Sequence, residues 1–162
     1  MRYVVFLRAI SNVRMDPFRK GMEALGFRDV ASYGMSGNLV FTADRSARRS
    51  LEVRIAARFG TDAFVRSKAE LSRTIEEDPF ESSVLFLASI PSATARSGFE
   101  RLEFESRRPV LSGSVLYFVY PARLRGTRSP FDFERALEVR ATARSSRVVA
   151  RIHARMTRNV AS

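Results

Sequence analysis

The sequence of 162 residues contains no cysteine, no tryptophan and a single histidine. The absence of cysteine excludes disulfide bonds, thiolate catalysis and cysteine-based zinc or iron–sulfur sites. One imidazole is too few for the histidine ligands of a zinc hydrolase. The longest apolar runs are far shorter than the roughly twenty residues that a membrane span needs. We therefore expect a soluble cytoplasmic protein with no metal, no cofactor and no recognisable catalytic residue.

Basic residues dominate the charge, with 28 Lys plus Arg against 17 Asp plus Glu and a net charge of +11. All of the basic residues except Lys20 and Lys68 are arginines. The guanidinium group suits phosphates and carboxylates, whereas a genome-wide bias against lysine would produce the same composition without any ligand. Both interpretations stay open, but the distribution of charge is informative because no acidic residue follows Glu138.

The first 80 residues predict the element order β-α-β-β-α-β. An unbroken apolar strand at 3–7 is followed by a helix from Asp16-Pro17 to Gly26, a hairpin around Ser36-Gly37-Asn38, a helix from Asp44 to Gly60 and a strand at 63–65. Ser67 and Glu70 have the spacing of a capping box for a linking helix, and Asp78-Pro79 breaks that helix. This break is the predicted boundary between two halves.

The second half predicts the same order again. Its elements are a strand at 84–88, a helix at 93–102, strands at 103–106 and 115–120, a helix at 131–138 opened by Ser129-Pro130, a strand at 139–143 and a final helix from Ser146. We therefore predict an α+β fold with two tandem ferredoxin-like halves, residues 1–80 and 81–162. Each half is small, so we expect the two to pack together.

Several motifs in these elements resemble a bacterial family known as domain of unknown function 1697. They are Tyr3–Arg8, Glu23–Val30, Tyr33–Phe41, Arg66 with Glu70-Leu71, Asp78–Phe80, Leu116–Pro121 and Ala141–Arg144. The resemblance implies two ferredoxin-like halves and no established activity. The chain departs from the family at Ala9–Arg14, where the family carries a glycine-rich loop of Asn-Val-Gly-Gly-Lys type. It departs again at Ser145–Val148, in place of an Asn-Trp-Asn-Thr segment.

The segment Ser36-Gly37-Asn38 has two interpretations. Its backbone N–H groups and short polar side chains would suit an anion, with Arg8 as a counter-charge and Arg66 as a further candidate. The same residues are typical of a hairpin turn, since Gly37 supplies a positive φ and Asn38 tolerates one. Turn chemistry alone favours the hairpin.

A row of arginines follows Glu138 at helical spacing: Arg140, Arg144, Arg147, Arg151, Arg155 and Arg158. In a helix that begins at Ser146, the last four lie within an arc of about 80°. The opposite side is apolar, with Val148, Val149, Ile152, Met156 and Val160. This pattern predicts an amphipathic C-terminal helix. It is compatible with salt-sensitive binding of nucleic acid or another polyanion by Arg144, Arg147, Arg151, Arg155 and Arg158. Charge runs are more often solvated helix faces, and the pattern by itself favours that interpretation.

Three smaller groups favour structural roles. Alternation along the strand sends Tyr117 and Phe118 to opposite faces, which indicates burial rather than base stacking by these residues and Tyr120. The acidic run 76–78 is typical of a solvated helix end. His153 has no catalytic partner in the pattern, and we interpret it as a packing or surface residue.

The leading hypothesis is noncatalytic binding of an anionic partner, either nucleic acid or a phosphate-bearing ligand. One alternative is an enzyme acting on a small anionic metabolite at Arg8, Ser36 and Asn38. The other is a protein–protein or dimerisation module that uses the sheets. The sequence does not distinguish a monomer from a homodimer.

Overall fold

In a computed structural model, which describes residues 1–105 and 107–158, the chain has an α+β fold with two four-stranded antiparallel sheets. In chain order the elements are β1 (Arg2–Leu7), α1 (Asp16–Ala24), β2 (Arg28–Tyr33), β3 (Asn38–Thr42), α2 (Arg48–Phe59), β4 (Ala63–Ser67), α3 (Lys68–Glu77), β5 (Ser83–Leu87), α4 (Ala93–Glu100), β6 (Val110–Ser112), β7 (Val115–Phe118), α5 (Phe133–Leu137), β8 (Ala141–Ser145) and α6 (Ser146–Arg158). Within the described ranges, no helix has the length and apolar character needed to cross a membrane.

The chain divides into two compact units. The first contains residues 1–76 and the described part of the segment that begins at Val149, and the second contains residues 77–148. The first sheet has the strand order β2-β3-β1-β4 and the second has the order β6-β7-β5-β8.

The core of the first unit forms around β1, which lies between β3 and β4. Alternate β1 residues Tyr3, Val5 and Leu7 belong to one buried cluster, to which α1 contributes Met22 and α2 contributes Leu51 and Ile55. Val4 and Phe6 point to the other face of the sheet and are also fully buried. The continuous apolar run of β1 therefore reflects a strand that is covered on both faces.

Helix ends in the first unit follow local chemistry. Gly60 adopts a left-handed φ of 66° and ends α2, as its position predicts. The predicted capping box is present: the Ser67 N–H donates to Glu70 Oε2 at 2.7 Å, and the Glu70 N–H donates to Ser67 Oγ at 3.2 Å. Asp16 is the first residue of α1 rather than its cap, and α2 begins at Arg48 rather than at Asp44. Pattern reading locates helix starts to within a few residues only.

Two elements of the second unit differ from those predicted from the sequence. The strand that pairs with β7 is β6, whereas the sequence predicts a strand at residues 103–106. Within that range Phe104 makes an isolated bridge to Leu124, and Ser106 lies outside the described residues. The two-residue turn Gly113-Ser114 joins β6 directly to β7, so the residues next to the turn take the pairing positions.

Helix α5 is shorter than predicted and starts later. Its N-cap is Asp132, whose Oδ1 accepts the Arg135 N–H at 3.1 Å, and the predicted cap Ser129 lies in the preceding loop. An aspartate in the cap position satisfies an N–H group of the first turn that would otherwise have no partner. The helix then ends at Glu138, which adopts a left-handed conformation with a φ of 54°.

Candidate functional site

Ser36 and Gly37 lie at the end of the connection between β2 and β3, and Asn38 is the first residue of β3. Gly37 has a φ of 73°, and its carbonyl accepts the Leu7 N–H at 2.9 Å. The Asn38 side chain is 3% exposed, and its Nδ2 donates to the Tyr33 carbonyl at 3.2 Å. Ser36 is exposed. These hydrogen bonds of Gly37 and Asn38 hold the hairpin and its neighbouring strand together.

Arg8 directly follows β1 and lies beside the segment that leads into β4. Its Nη1 lies 3.4 Å from Asp62 Oδ2, and its carbonyl accepts the Thr61 hydroxyl at 2.8 Å. These residues line a shallow cleft of about 430 Å³ together with Ala9, Ala56 and Gly60. The arginine predicted as an anion counter-charge is thus close to a carboxylate of its own chain.

Arg66 lies away from Arg8, because it pairs with Val4 in the β1–β4 ladder. It is 1% exposed, and its Nη1 lies 3.9 Å from Glu52 Oε2, which also accepts the Val65 N–H at 3.0 Å. Burial lowers the pKa of Arg66 to about 10 and raises the pKa of Glu52. Glu52 thus covers a backbone donor of the edge strand β4. Arg66 lies beside Glu52 at this edge of the sheet and has almost no exposed surface for a ligand to contact.

Helix α6 presents a row of arginines on the side opposite its buried face. Val149, Ile152 and Met156 are at most 1% exposed. Arg147, Arg151 and Arg158 are exposed, and Arg155 is half-buried. The helix carries no acidic residue, and within residues 1–105 and 107–158 none of these four arginines forms an ion pair. We call Arg147, Arg151, Arg155 and Arg158 the α6 arginine row. Val160, which the sequence predicts on the apolar side of this helix, lies outside the described residues.

Arg144 does not belong to this row. It lies on β8 opposite Val84, and its Nη1 donates to Thr142 Oγ1 at 2.9 Å and to the Ala143 carbonyl at 2.8 Å. Burial lowers the pKa of Arg144 to about 10. The helical spacing in the sequence therefore runs across a strand–helix junction, and only the part after Ser146 is helical.

The remaining sequence candidates have mostly structural contacts. Tyr117 and Phe118 are buried, as the alternation predicts, whereas Tyr120 is 72% exposed. Asp78 is more than a solvated helix end, because its Oδ1 accepts the Phe80 and Glu81 N–H groups, both at 3.0 Å. Its carboxylate therefore stabilises the turn that follows α3.

One cleft was not predicted from the sequence. It has a volume of about 620 Å³, belongs to the first unit and is lined by Met1, Arg2, Lys68, Ala69, Ser72, His153 and Thr157. The lining residues come from the start of β1, the first turns of α3 and the second half of α6. No local pattern signals such a site, since its residues are separated by tens of positions and meet only in the folded chain.

The comparisons with known proteins bear on family and fold. A family model described as "Protein of unknown function (DUF1697)" matches residues 1–117, which confirms the resemblance over that range. The chain is also similar to the solved structure of the conserved bacterial protein SP0830 from Streptococcus pneumoniae. The TM-score is 0.63 at 17% identity, over 96% of this chain and 98% of that chain. At this identity the likeness shows the fold alone. No curated protein matches the chain significantly.

Proposed function

The chain belongs to the DUF1697 family of proteins of unknown function, and starting from that membership we propose that it binds nucleic acid without catalysing a reaction. The observation that carries this proposal is the α6 arginine row, with three exposed guanidinium groups and no ion-paired carboxylate among the described residues. An arginine that is not neutralised by its own protein retains its full attraction for phosphate.

The length of the row supports a polyanionic partner. Arg147 and Arg158 are separated by eleven positions, which corresponds to about 16 Å along a helix that rises 1.5 Å per residue. One strand of a duplex carries one phosphate per roughly 3.4 Å of axis, so the row spans about five phosphates. The buried residues Val149, Ile152 and Met156 belong to the first unit, as do Arg151, Arg155 and Arg158, so these three arginines are presented on a packed helix.

A matched pair of double variants tests the proposal. Arg147→Glu with Arg151→Glu removes the centre of the row, and Arg45→Glu with Arg128→Glu makes the same change in net charge at two exposed arginines elsewhere. We expect the first variant to lose affinity in fluorescence-anisotropy titrations with duplex DNA, single-stranded DNA and single-stranded RNA. Its plot of log affinity against log salt should become shallower by about 1.4 to 1.8, the value for two phosphate contacts.

Heparin provides the control for nonspecific charge attraction. Nucleic-acid binding that persists at physiological salt and exceeds heparin binding would support the row as a nucleic-acid site. Equal losses in the two double variants, or equal binding of all polyanions, would refute it and leave the net charge of +11 as a general surface property.

We also propose that residues 1–80 and 81–162 are two ferredoxin-like halves. Each half has the order β-α-β-β-α-β, and in each sheet the first strand of the half lies in the interior between its third and fourth strands. An experimental structure in which the two sheets superpose in this order would support the proposal. A different strand order in either half would refute it.

The alternative of an enzyme at Arg8, Ser36 and Asn38 has less support. Arg8 lies beside Asp62, and the Asn38 amide is engaged in the hairpin. The sheet-mediated dimer stays a prediction, which the molar mass from light scattering would test.

A further inference from the structure

The cleft beside α6 has basic lining residues, none of which belongs to the α6 arginine row, although Arg155 of that row lies near Arg2. Arg2, Lys68 and His153 contribute its basic side chains, and no carboxylate is among the lining residues within the described part of the chain. His153 and Thr157 lie one helical turn apart on α6. Arg147 and Arg151 project from this helix more than about 100° away from His153. A ligand in the cleft therefore does not need Arg147 or Arg151, the two residues that the nucleic-acid test changes.

Arg2 gives the cleft a fixed positive charge. Its Nη1 donates to the Asp29 carbonyl at 2.8 Å and to Thr42 Oγ1 at 3.0 Å, which hold the guanidinium in place. Its Nε and Nη2 are buried and have no hydrogen-bond partner among the described residues. The pKa of Arg2 is lowered by burial and by the nearby Arg155, although Asp29 opposes this shift. The Arg2 guanidinium therefore has two nitrogens without a protein acceptor among the described residues.

The other lining groups define what kind of anion would fit. Lys68 supplies an ammonium group, and Ser72 supplies a hydroxyl that donates a hydrogen bond of 3.4 Å to Glu76 Oε1. Met1 and Ala69 add apolar surface. The volume of about 620 Å³ lies in the range of small-molecule sites, which typically combine apolar walls with a few convergent polar groups.

We propose that this cleft binds a small organic phosphate, with the phosphate group at Arg2, Lys68 and His153 and an apolar or aromatic body against Met1 and Ala69. The inference goes beyond the proposed function, because it concerns a different site and a different class of ligand. A phosphate monoester matches the lining because it combines a compact double negative charge with an uncharged body.

The single histidine of the chain makes the test specific. In a proton–carbon NMR spectrum, the imidazole signals arise from His153 alone, so a ligand in the cleft is detected without assignment of the remaining residues. The probes are inorganic phosphate, phenyl phosphate and uncharged benzyl alcohol at constant pH and ionic strength. We expect saturable shifts with phenyl phosphate, weaker ones with inorganic phosphate and none with benzyl alcohol.

The two lysines of the chain provide matched variants. Lys68→Gln removes a charge from the cleft, and Lys20→Gln removes the same charge from an exposed position on α1. We expect Lys68→Gln to weaken phenyl phosphate binding by about tenfold, the effect of one lost charge-assisted contact. Lys20→Gln should bind as the unmodified protein does.

Three results would overturn the proposal. They are the absence of a saturable His153 shift up to about 10 mM phenyl phosphate, equal affinity for phenyl phosphate and inorganic phosphate, and equal effects of the two lysine variants. The variant Arg147→Glu with Arg151→Glu separates this proposal from the nucleic-acid proposal. It should retain the His153 shift even where it loses nucleic-acid affinity.

Discussion

Substitution of Gly37 by alanine is a quantitative test of the role of the Ser-Gly-Asn segment. A Cβ at Gly37 would lie 3.0 Å from Leu7 Cβ, 3.0 Å from Ile10 Cβ and 3.1 Å from the Leu7 carbonyl oxygen. The turn cannot easily retreat, because the Leu7 N–H donates to the Gly37 carbonyl at 2.9 Å. Gly34 is the matched control, since it has a similar φ of 66° but a Cβ added there would meet no atom within 4 Å.

The two substitutions share the backbone strain and differ in the steric contact. An alanine in the left-handed conformation costs about 1 kcal/mol, so Gly34→Ala should lower the free energy of unfolding by about that amount. Forcing a methyl group into a packed position typically costs a further ~1 to 3 kcal/mol. We therefore expect Gly37→Ala to lower the free energy of unfolding by about 2 to 4 kcal/mol.

Urea unfolding followed by circular dichroism measures both variants. The expected result is a lower midpoint for Gly37→Ala than for Gly34→Ala at an unchanged slope, so that the difference reports stability alone. Equal midpoints for the two variants would refute the reasoning, because the close contacts of the added Cβ with Leu7 and Ile10 would then not lower the free energy of unfolding.

Two further predictions concern local and buried polar contacts. Asp132→Ala removes the side-chain cap of α5 and should lower the free energy of unfolding by about 1 kcal/mol, as measured by thermal or urea unfolding. Ser129→Ala in the preceding loop should lower it by less than about 0.5 kcal/mol. Equal losses in the two variants would contradict the assigned cap. Burial raises the pKa of Glu52, so its contribution to stability is fully present below the unfolded pKa and is lost as pH rises through the folded pKa. The stability of the unmodified protein relative to Glu52→Gln should therefore fall as urea midpoints are measured from about pH 4.5 to neutral pH, and a rise would contradict this sign.

Local chemistry in the sequence determined several elements. The apolar run of β1, the capping box of Ser67 and Glu70 and the left-handed Gly60 each depend on residues within a few positions of one another. The helix that begins at Ser146 is predictable for the same reason, because amphipathic spacing is a property of a short segment.

The tertiary structure decided which polar residues remain accessible. Arg66 and Arg8 have similar chemistry in the sequence, but Arg66 is buried beside Glu52 and Arg8 is near Asp62 at the surface. The pairing of β6 with β7 likewise depended on a two-residue turn, and propensity alone does not distinguish it from a longer connection.

The cleft beside α6 is the clearest case of a feature that only the fold creates. Arg2, Lys68 and His153 lie far apart in the sequence, and none of them belongs to a recognisable local motif. They meet because β1, α3 and the second half of α6 belong to one unit. Periodicity and capping act over a few residues, whereas burial and convergence of charge depend on long-range packing. The sequence alone therefore determined most elements and the α6 arginine row, and the tertiary structure decided strand pairing and the cleft.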